Sequence, residues 1–352
     1  MSPIRFLRTS GAVLIALALS LPLAAAAEIA GVSTLTAPAA ERGTDLDVTV
    51  WYPAGSGGTA TSLGDSIFFQ GTESLRGAEV AEGPFPLILL SHGAGLGGRP
   101  DAAAWLAAPL AARGFVVAAP RHPGNTGPDR SAAETMKLWL RPSDLSATLD
   151  AVTGDPEIGP HLDTDRTGVL GLSMGGNSAL LLAGARLDPE RLAGYCDAPE
   201  RNLSLCAWVR QSGVDLHALD REAAGDDRGD PRVAFAMALD PAPADIFDPA
   251  SFAGIDIGVA LINLGALSDS PATVHADAIA AAIPDATHRV IEGASHDAMF
   301  PICKPNAAEI ALDEGIEDPI CSDPRGRTRA EIHREILDLV AATFGRALQE
   351  AD

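Results

Sequence analysis

Gly171-Leu172-Ser173-Met174-Gly175 places a serine in the G-x-S-x-G spacing of a very sharp turn. Three fixed positions are a weak signal alone, so context has to decide. The short run Thr167–Gly171 reads as a strand and Met174–Arg186 as a helix, the strand–turn–helix setting that lifts a serine hydroxyl to the carboxyl edge of a sheet. Small residues on either side let such a turn close without side chains striking backbone, and Gly176 extends that into the first helical turn. Helix N-terminal N–H groups then lie beside the hydroxyl, where they stabilise developing negative charge. The bland alternative is an ordinary glycine-rich turn, and the two differ in whether a base can reach the serine.

Eight histidines are available as that base. On folds that carry such a turn the chain order is serine, then acid, then histidine. His296, in Gly293-Ala294-Ser295-His296-Asp297, follows the last apolar strand and returns to the edge that carries Ser173. His275 and His333 fall in helices and His288 in a strand, which points His296 to the role of general base. Two carboxylates could orient it. Asp240 ends one apolar run and is stiffened by Pro241, whereas Asp269 follows the next run after a short turn; spacing leaves both open. Ser91-His92-Gly93-Ala94-Gly95 follows another strand and could supply the Ala94 N–H to an oxyanion alongside that of Met174. His92 precedes the serine and belongs to this donor loop, so a structural role is expected for it; His122 reads as a turn or pocket-wall residue.

The elements that must hold these groups can be read from apolar runs. Leu46–Tyr52 alternates like a half-buried strand, paired with one near Ala30–Leu35, and a polar, glycine-rich excursion spans Pro53 to Pro84. Pro86–Leu90, Phe115–Ala119, Gly168–Gly171, Val233–Leu239, Ile257–Leu264 and His288–Ile291 are continuous apolar runs, as expected of strands buried on both faces. Helical stretches alternate with them at Asp101–Arg113, Pro142–Val152, Met174–Arg186, Pro271–Ile283 and about Thr328–Gln349. The alternation predicts one α/β domain with a mostly parallel sheet flanked by helices. Residues 187–230 break the rhythm and read as an inserted cap or loop region. Ser62–Ala78 and Met136–Leu140 are candidates to shape an apolar acyl pocket.

Composition narrows the context. Of 352 residues, 47% are hydrophobic, too many for a disordered chain. Lys and Arg number 25 against 47 Asp and Glu, a formal charge of -22 that argues against nucleic acid and anionic lipid as partners. Residues 1–27 carry Arg5 and Arg8, an apolar stretch and an A-x-A arrangement before Glu28, the pattern of an export signal; an uncleaved anchor is the alternative. Residues 28–352 then form the domain, in the periplasm or secreted, with no stable membrane insertion. The four cysteines fall into local pairs, Cys196 with Cys206 and Cys303 with Cys321, although three connectivities are open. Each local bridge would contribute on the order of 3 kcal/mol in the chain-entropy model. Metal-ligand spacing is lacking, so no metal is expected.

The runs WYPAGSGG, FPLILLSHGAGLGG, GFVVAAPRHPGN, RPSDLSATLD, GVLGLSMGGNSALLLAGARLD, MALDP and GASHDAMFPIC cover nearly the whole of residues 28–352. Together they resemble the bacterial "predicted dienelactone hydrolase" group, related to platelet-activating-factor acetylhydrolases within the α/β-hydrolase superfamily. The resemblance implies the α/β-hydrolase fold and a triad of Ser173, Asp240 and His296, because in the acetylhydrolases the acid follows the earlier strand in an A-L-D context; Asp269 stays as the alternative. Dienelactone hydrolases use a cysteine nucleophile where this chain has serine, which sets their substrate aside. The activity implied is hydrolysis of carboxylic esters with short acyl groups through an acyl-enzyme, with no metal or organic cofactor. A thioesterase, amidase or acyltransferase would keep the same triad, and a non-catalytic binding protein could keep the fold.

Overall fold

The computed structural model describes residues 29–125, 129–316, 319–324 and 326–348. Residues 1–27, with their expected export signal, lie outside them. Ten strands form one sheet: β1 (Gly31–Ala39), β2 (Thr44–Tyr52), β3 (Ala54–Leu63), β4 (Thr72–Val80), β5 (Phe85–Ser91), β6 (Val116–Pro120), β7 (Leu162–Leu172), β8 (Phe235–Leu239), β9 (Gly258–Leu264) and β10 (Thr287–Ile291). Their spatial order is β10-β9-β8-β7-β5-β6-β2-β1-β4-β3. From β10 to β6 every neighbour is parallel, and β2 joins β6 antiparallel.

The α-helices of the described residues are α1 (Ala104–Ala112), α2 (Ala132–Thr135), α3 (Arg141–Thr153), α4 (Met174–Leu182), α5 (Pro189–Ala193), α6 (Leu203–Gln211), α7 (Asp277–Ala282), α8 (Ala307–Asp313) and α9 (Arg329–Ala347). Alternate side chains of each central strand feed two cores. Leu87 and Leu89 of β5 and Val116 and Ala118 of β6 face one side, where they meet Leu145, Leu149 and Val152 of α3 (Arg141–Thr153) and Leu180 to Leu182 of α4 (Met174–Leu182). Ile88, Leu90, Val117 and Ala119 face the other, against α1 (Ala104–Ala112) and α9 (Arg329–Ala347). Ile332, Ile336, Val340 and Phe344 recur every four residues on α9 and are all fully buried, the stripe an amphipathic helix needs. Thr328 and Glu331 close a capping box at its start. The parallel strands are therefore covered on both faces, and their carboxyl ends converge on one edge.

Some elements depart from the expected bounds. The stretch 53–84 is not an excursion: β3 and β4 pair antiparallel at the end of the sheet. A reading built on apolar runs misses this hairpin because β3 is almost wholly exposed and needs none. The helix that opens at Met174 stops at Leu182 instead of Arg186, where Gly184 turns the backbone at φ +106°. The stretch 271–283 holds a 3-10 turn, Ala272–Val274, and a short helix, Asp277–Ala282, instead of one helix. Within 187–230 the chain folds into short helices, among them Pro189–Ala193 and Leu203–Gln211, bridged by Cys196–Cys206 with Cα atoms 5.3 Å apart. Cys303 and Cys321 are joined likewise, over a small satellite core of Phe68, Phe69, Ala307, Ala311 and Ile320. No helix among the described residues is long and apolar enough to cross a membrane.

Candidate active site

Ser173 sits between β7 and α4 at φ +54°, ψ -120°, a conformation that a non-glycine residue holds only when its surroundings impose it. Those surroundings are backbone. Ser173 N–H donates to the Leu239 carbonyl (2.9 Å), and the Ser173 carbonyl accepts from Gly176 and Ala242 N–H (2.7 and 3.1 Å). A side-chain carbon on Gly171 would collide with the Gly175 carbonyl, and one on Gly175 with the Ser91 carbonyl. The glycines of the motif thus allow close approach, and Gly175 sets the Ser173 turn against the end of β5 and the loop that follows it.

His296 opens the 3-10 turn His296–Met299 after β10. Its Nε2 accepts from the Ser173 hydroxyl at 3.0 Å, and its Nδ1–H donates to Asp240 Oδ2 at 3.1 Å. Asp240 directly follows β8 at φ +41°, is fully buried, and accepts on Oδ1 from Leu264 N–H (2.9 Å) and Asn263 Nδ2 (2.8 Å). These two bonds and the one from His296 fix the carboxylate against the imidazole. Asp269 lies exposed in the cleft wall, its carboxylate accepting from the Ser268 hydroxyl. Of the two carboxylates left open by spacing, the structure brings Asp240 to the histidine.

Asn263 was not legible as a site residue inside an apolar strand. It is fully buried, donates to Asp240 and to the Val274 carbonyl, and accepts from Ala276 N–H (3.1 Å) and His288 Nε2 (2.9 Å). The signal was present: a lone amide in the run Ile257–Leu264 has no reason to be buried unless something polar meets it.

Ser173, Met174 and Ala94 line a cleft of about 840 Å³. Asn202, Leu205 and Trp208 of the inserted region form its far wall, with the Arg130 guanidinium 4.9 Å above the Trp208 ring. A side pocket of about 70 Å³ opens from Ser173 and His296 between Gly93, Ala102, Ala103, Leu172, Met299 and Phe300. Met136–Leu140 does not shape either space: Met136, Leu138 and Trp139 are core residues under α3. Residues 62–78 act at one remove, through Phe69 stacked on Phe300 at 5.6 Å. His92 and His122 are both buried, so His122 is not a pocket wall. His333 packs flat on Trp105, ring centroids 3.6 Å apart. No group of His, Cys, Asp or Glu able to hold a metal ion occurs among the described residues.

A model of the alpha/beta hydrolase family matches residues 87–309, which contain Ala94, Ser173, Asp240, Asn263 and His296. Among curated proteins, none matches the chain in sequence. Among solved structures, the ferulic acid esterase from Streptomyces cinnamoneus superposes with a TM-score of 0.58 at 20% identity, over 93% of this chain and 92% of that one. The dienelactone hydrolase from Anabaena variabilis superposes with a TM-score of 0.43 at 15% identity, over 82% and 96%. At 20% identity the likeness to the esterase concerns the fold alone.

Proposed function

The chain belongs to the alpha/beta hydrolase family, and from that premise we propose that it is a serine hydrolase of carboxylic esters with short acyl groups. The observation that carries this reading is the continuous line Ser173 Oγ to His296 Nε2 to Asp240, opening on a cleft from a strained turn. In the reaction His296 takes the Ser173 proton as Oγ attacks the ester carbonyl. Ala94 and Met174 N–H hold the oxyanion, and the proton passes from His296 to the departing alcohol. Water, deprotonated by His296, then releases the acid and restores Ser173. Asp240 orients the imidazole and stabilises the imidazolium.

The side pocket supports short acyl groups. At about 70 Å³, closed by Leu172, Met299 and Phe300, it admits a methyl or ethyl group and not a fatty chain, while the cleft of about 840 Å³ offers room for a larger alcohol. The two disulfides support a periplasmic or secreted setting. The test is turnover of p-nitrophenyl esters from acetate to palmitate by the wild type and by Ser173→Ala. Activity greatest at acetate to butyrate and abolished in the variant is expected; an optimum at long chains would overturn the acyl assignment, and full activity in the variant would overturn the mechanism.

A further inference from the structure

A second Ser-His-Asp array lies buried beside the first. The Ser91 hydroxyl donates to His122 Nε2 (2.9 Å), and His122 Nδ1–H donates to Asp144 Oδ2 (2.8 Å). All three side chains are sealed from solvent. Arg42 clasps Asp144 through Nε and Nη2, and Arg141 donates to Ser91 Oγ, the His92 carbonyl and Ser178 Oγ. No substrate can reach Ser91 there. The array instead ends on His92, whose Nε2 accepts the main-chain N–H of His122 (3.1 Å). With Nε2 an acceptor, the ring proton must sit on Nδ1, which donates to the Gly93 carbonyl at 2.8 Å.

The Gly93 carbonyl and the Ala94 N–H belong to one peptide unit. In a planar trans peptide they point in opposite directions, so fixing one aims the other. A side-chain carbon on Gly93 would lie 3.4 Å from Ser173 Cβ, which sets this peptide directly against the nucleophile. We propose that His92, held in its Nδ1–H tautomer by the main-chain N–H of His122, a residue whose own ring Ser91 and Asp144 anchor, is the positioning residue that aims the Ala94 N–H into the oxyanion site. Burial holds both imidazoles well below the usual histidine range, with the neighbouring His122 and then Arg141 adding to it at His92 and Arg141 at His122, so His92 keeps the neutral form this requires. The proposal rests on the esterase reading and adds to it the part of the molecule that builds half of the oxyanion site.

The test compares His92→Phe, which keeps a ring and removes both hydrogen bonds, with His92→Asn, whose amide can restore the Nδ1 donor. For p-nitrophenyl acetate His92→Phe should lose about 10- to 100-fold in kcat with KM within about threefold, short of the ~10²–10³ for deleting an oxyanion donor. The inhibition constant of a boronic acid, bound as a tetrahedral anion on Ser173, should rise by the same factor, and the acid limb of the pH profile should stay in place. His92→Asn should recover most of the loss. Ser91→Ala, which deletes one oxygen at the far side of His122, should show the same pattern at a few-fold and serves if His92→Phe does not fold. Full kcat in folded His92→Phe or Ser91→Ala, or a kcat loss without weaker boronate binding, would overturn the proposal while leaving the esterase reading intact. A wild type that neither hydrolyses esters nor binds the boronate would overturn that reading itself.

Discussion

Two Ser-His-Asp arrays occupy one molecule with nearly the same internal distances, 3.0 and 3.1 Å in one and 2.9 and 2.8 Å in the other. They differ in everything around those distances. Ser173 stands on a strained turn at the mouth of a cleft, whereas Ser91 ends a buried strand. His296 is about a third exposed, and the carboxylate facing it is bound by neutral donors from β9. His122 is sealed, and two arginines share its carboxylate or its serine. An imidazolium forming there would meet both positive charges in a low dielectric, so the ring stays neutral and cannot act as a base. Triad geometry is thus a hydrogen-bonding motif that a protein can use for chemistry or for scaffolding; access, strain and the neighbouring charges decide which.

Substitutions can break this contrast at either end. The largest effect is expected at Asp240. Asp240→Asn leaves His296 without an anionic partner and should lower kcat by on the order of 10³- to 10⁴-fold, while Asp269→Asn, on the exposed cleft wall, should stay within about threefold. Equal losses, measured as kcat on one ester, would return the acid to an open question. Asn263→Leu comes next. It removes one donor to Asp240 and should cut kcat about tenfold at unchanged KM, with a lowered Tm from the amide partners left unpaired. A fall in Tm alone would make Asn263 a packing residue.

The smallest effect on turnover is expected at His333, which bears on acid stability instead. Burial pushes His333 down to about 4, so between the ordinary histidine value near 6.5 and 4 the unfolded chain binds the proton more readily. Stability should be complete above pH 6.5 and decline as pH falls toward 4, by up to ~3 kcal/mol from this residue. His333→Phe, which can still stack on Trp105, should make that decline shallower in urea unfolding at pH 7, 5.5 and 4. An unchanged slope would assign the acid sensitivity to His92 and His122, which burial shifts in the same direction.

Much of this site was legible because its residues sit at ends of elements. Ser173 between a strand and a helix, His296 after the last strand, and Ala94 after β5 all follow from where apolar runs stop. Asp240 and Asp269 could not be separated by spacing, since β8 and β9 finish at the same edge. The difference lies in the φ of +41° at Asp240 and in its capture by Asn263 and Leu264, neither of which spacing encodes. The buried array was hidden for another reason: Ser91, His122 and Asp144 lie 31 and 22 residues apart, on a strand end, a loop and a helix. His92 was expected to be structural, but what it holds depends on the tautomer that His122 imposes. The β3–β4 hairpin escaped because its strands are paired at an exposed edge and carry no apolar run.

If Ser173, and not its buried counterpart, is the nucleophile, a p-nitrophenyl alkylphosphonate added to the folded protein will mark it, and peptide mass spectrometry will map the adduct. One adduct per chain is expected, on Ser173, formed in step with loss of esterase activity and absent from Ser173→Ala. An adduct on Ser91, or esterase activity that survives full modification of Ser173, would contradict that assignment.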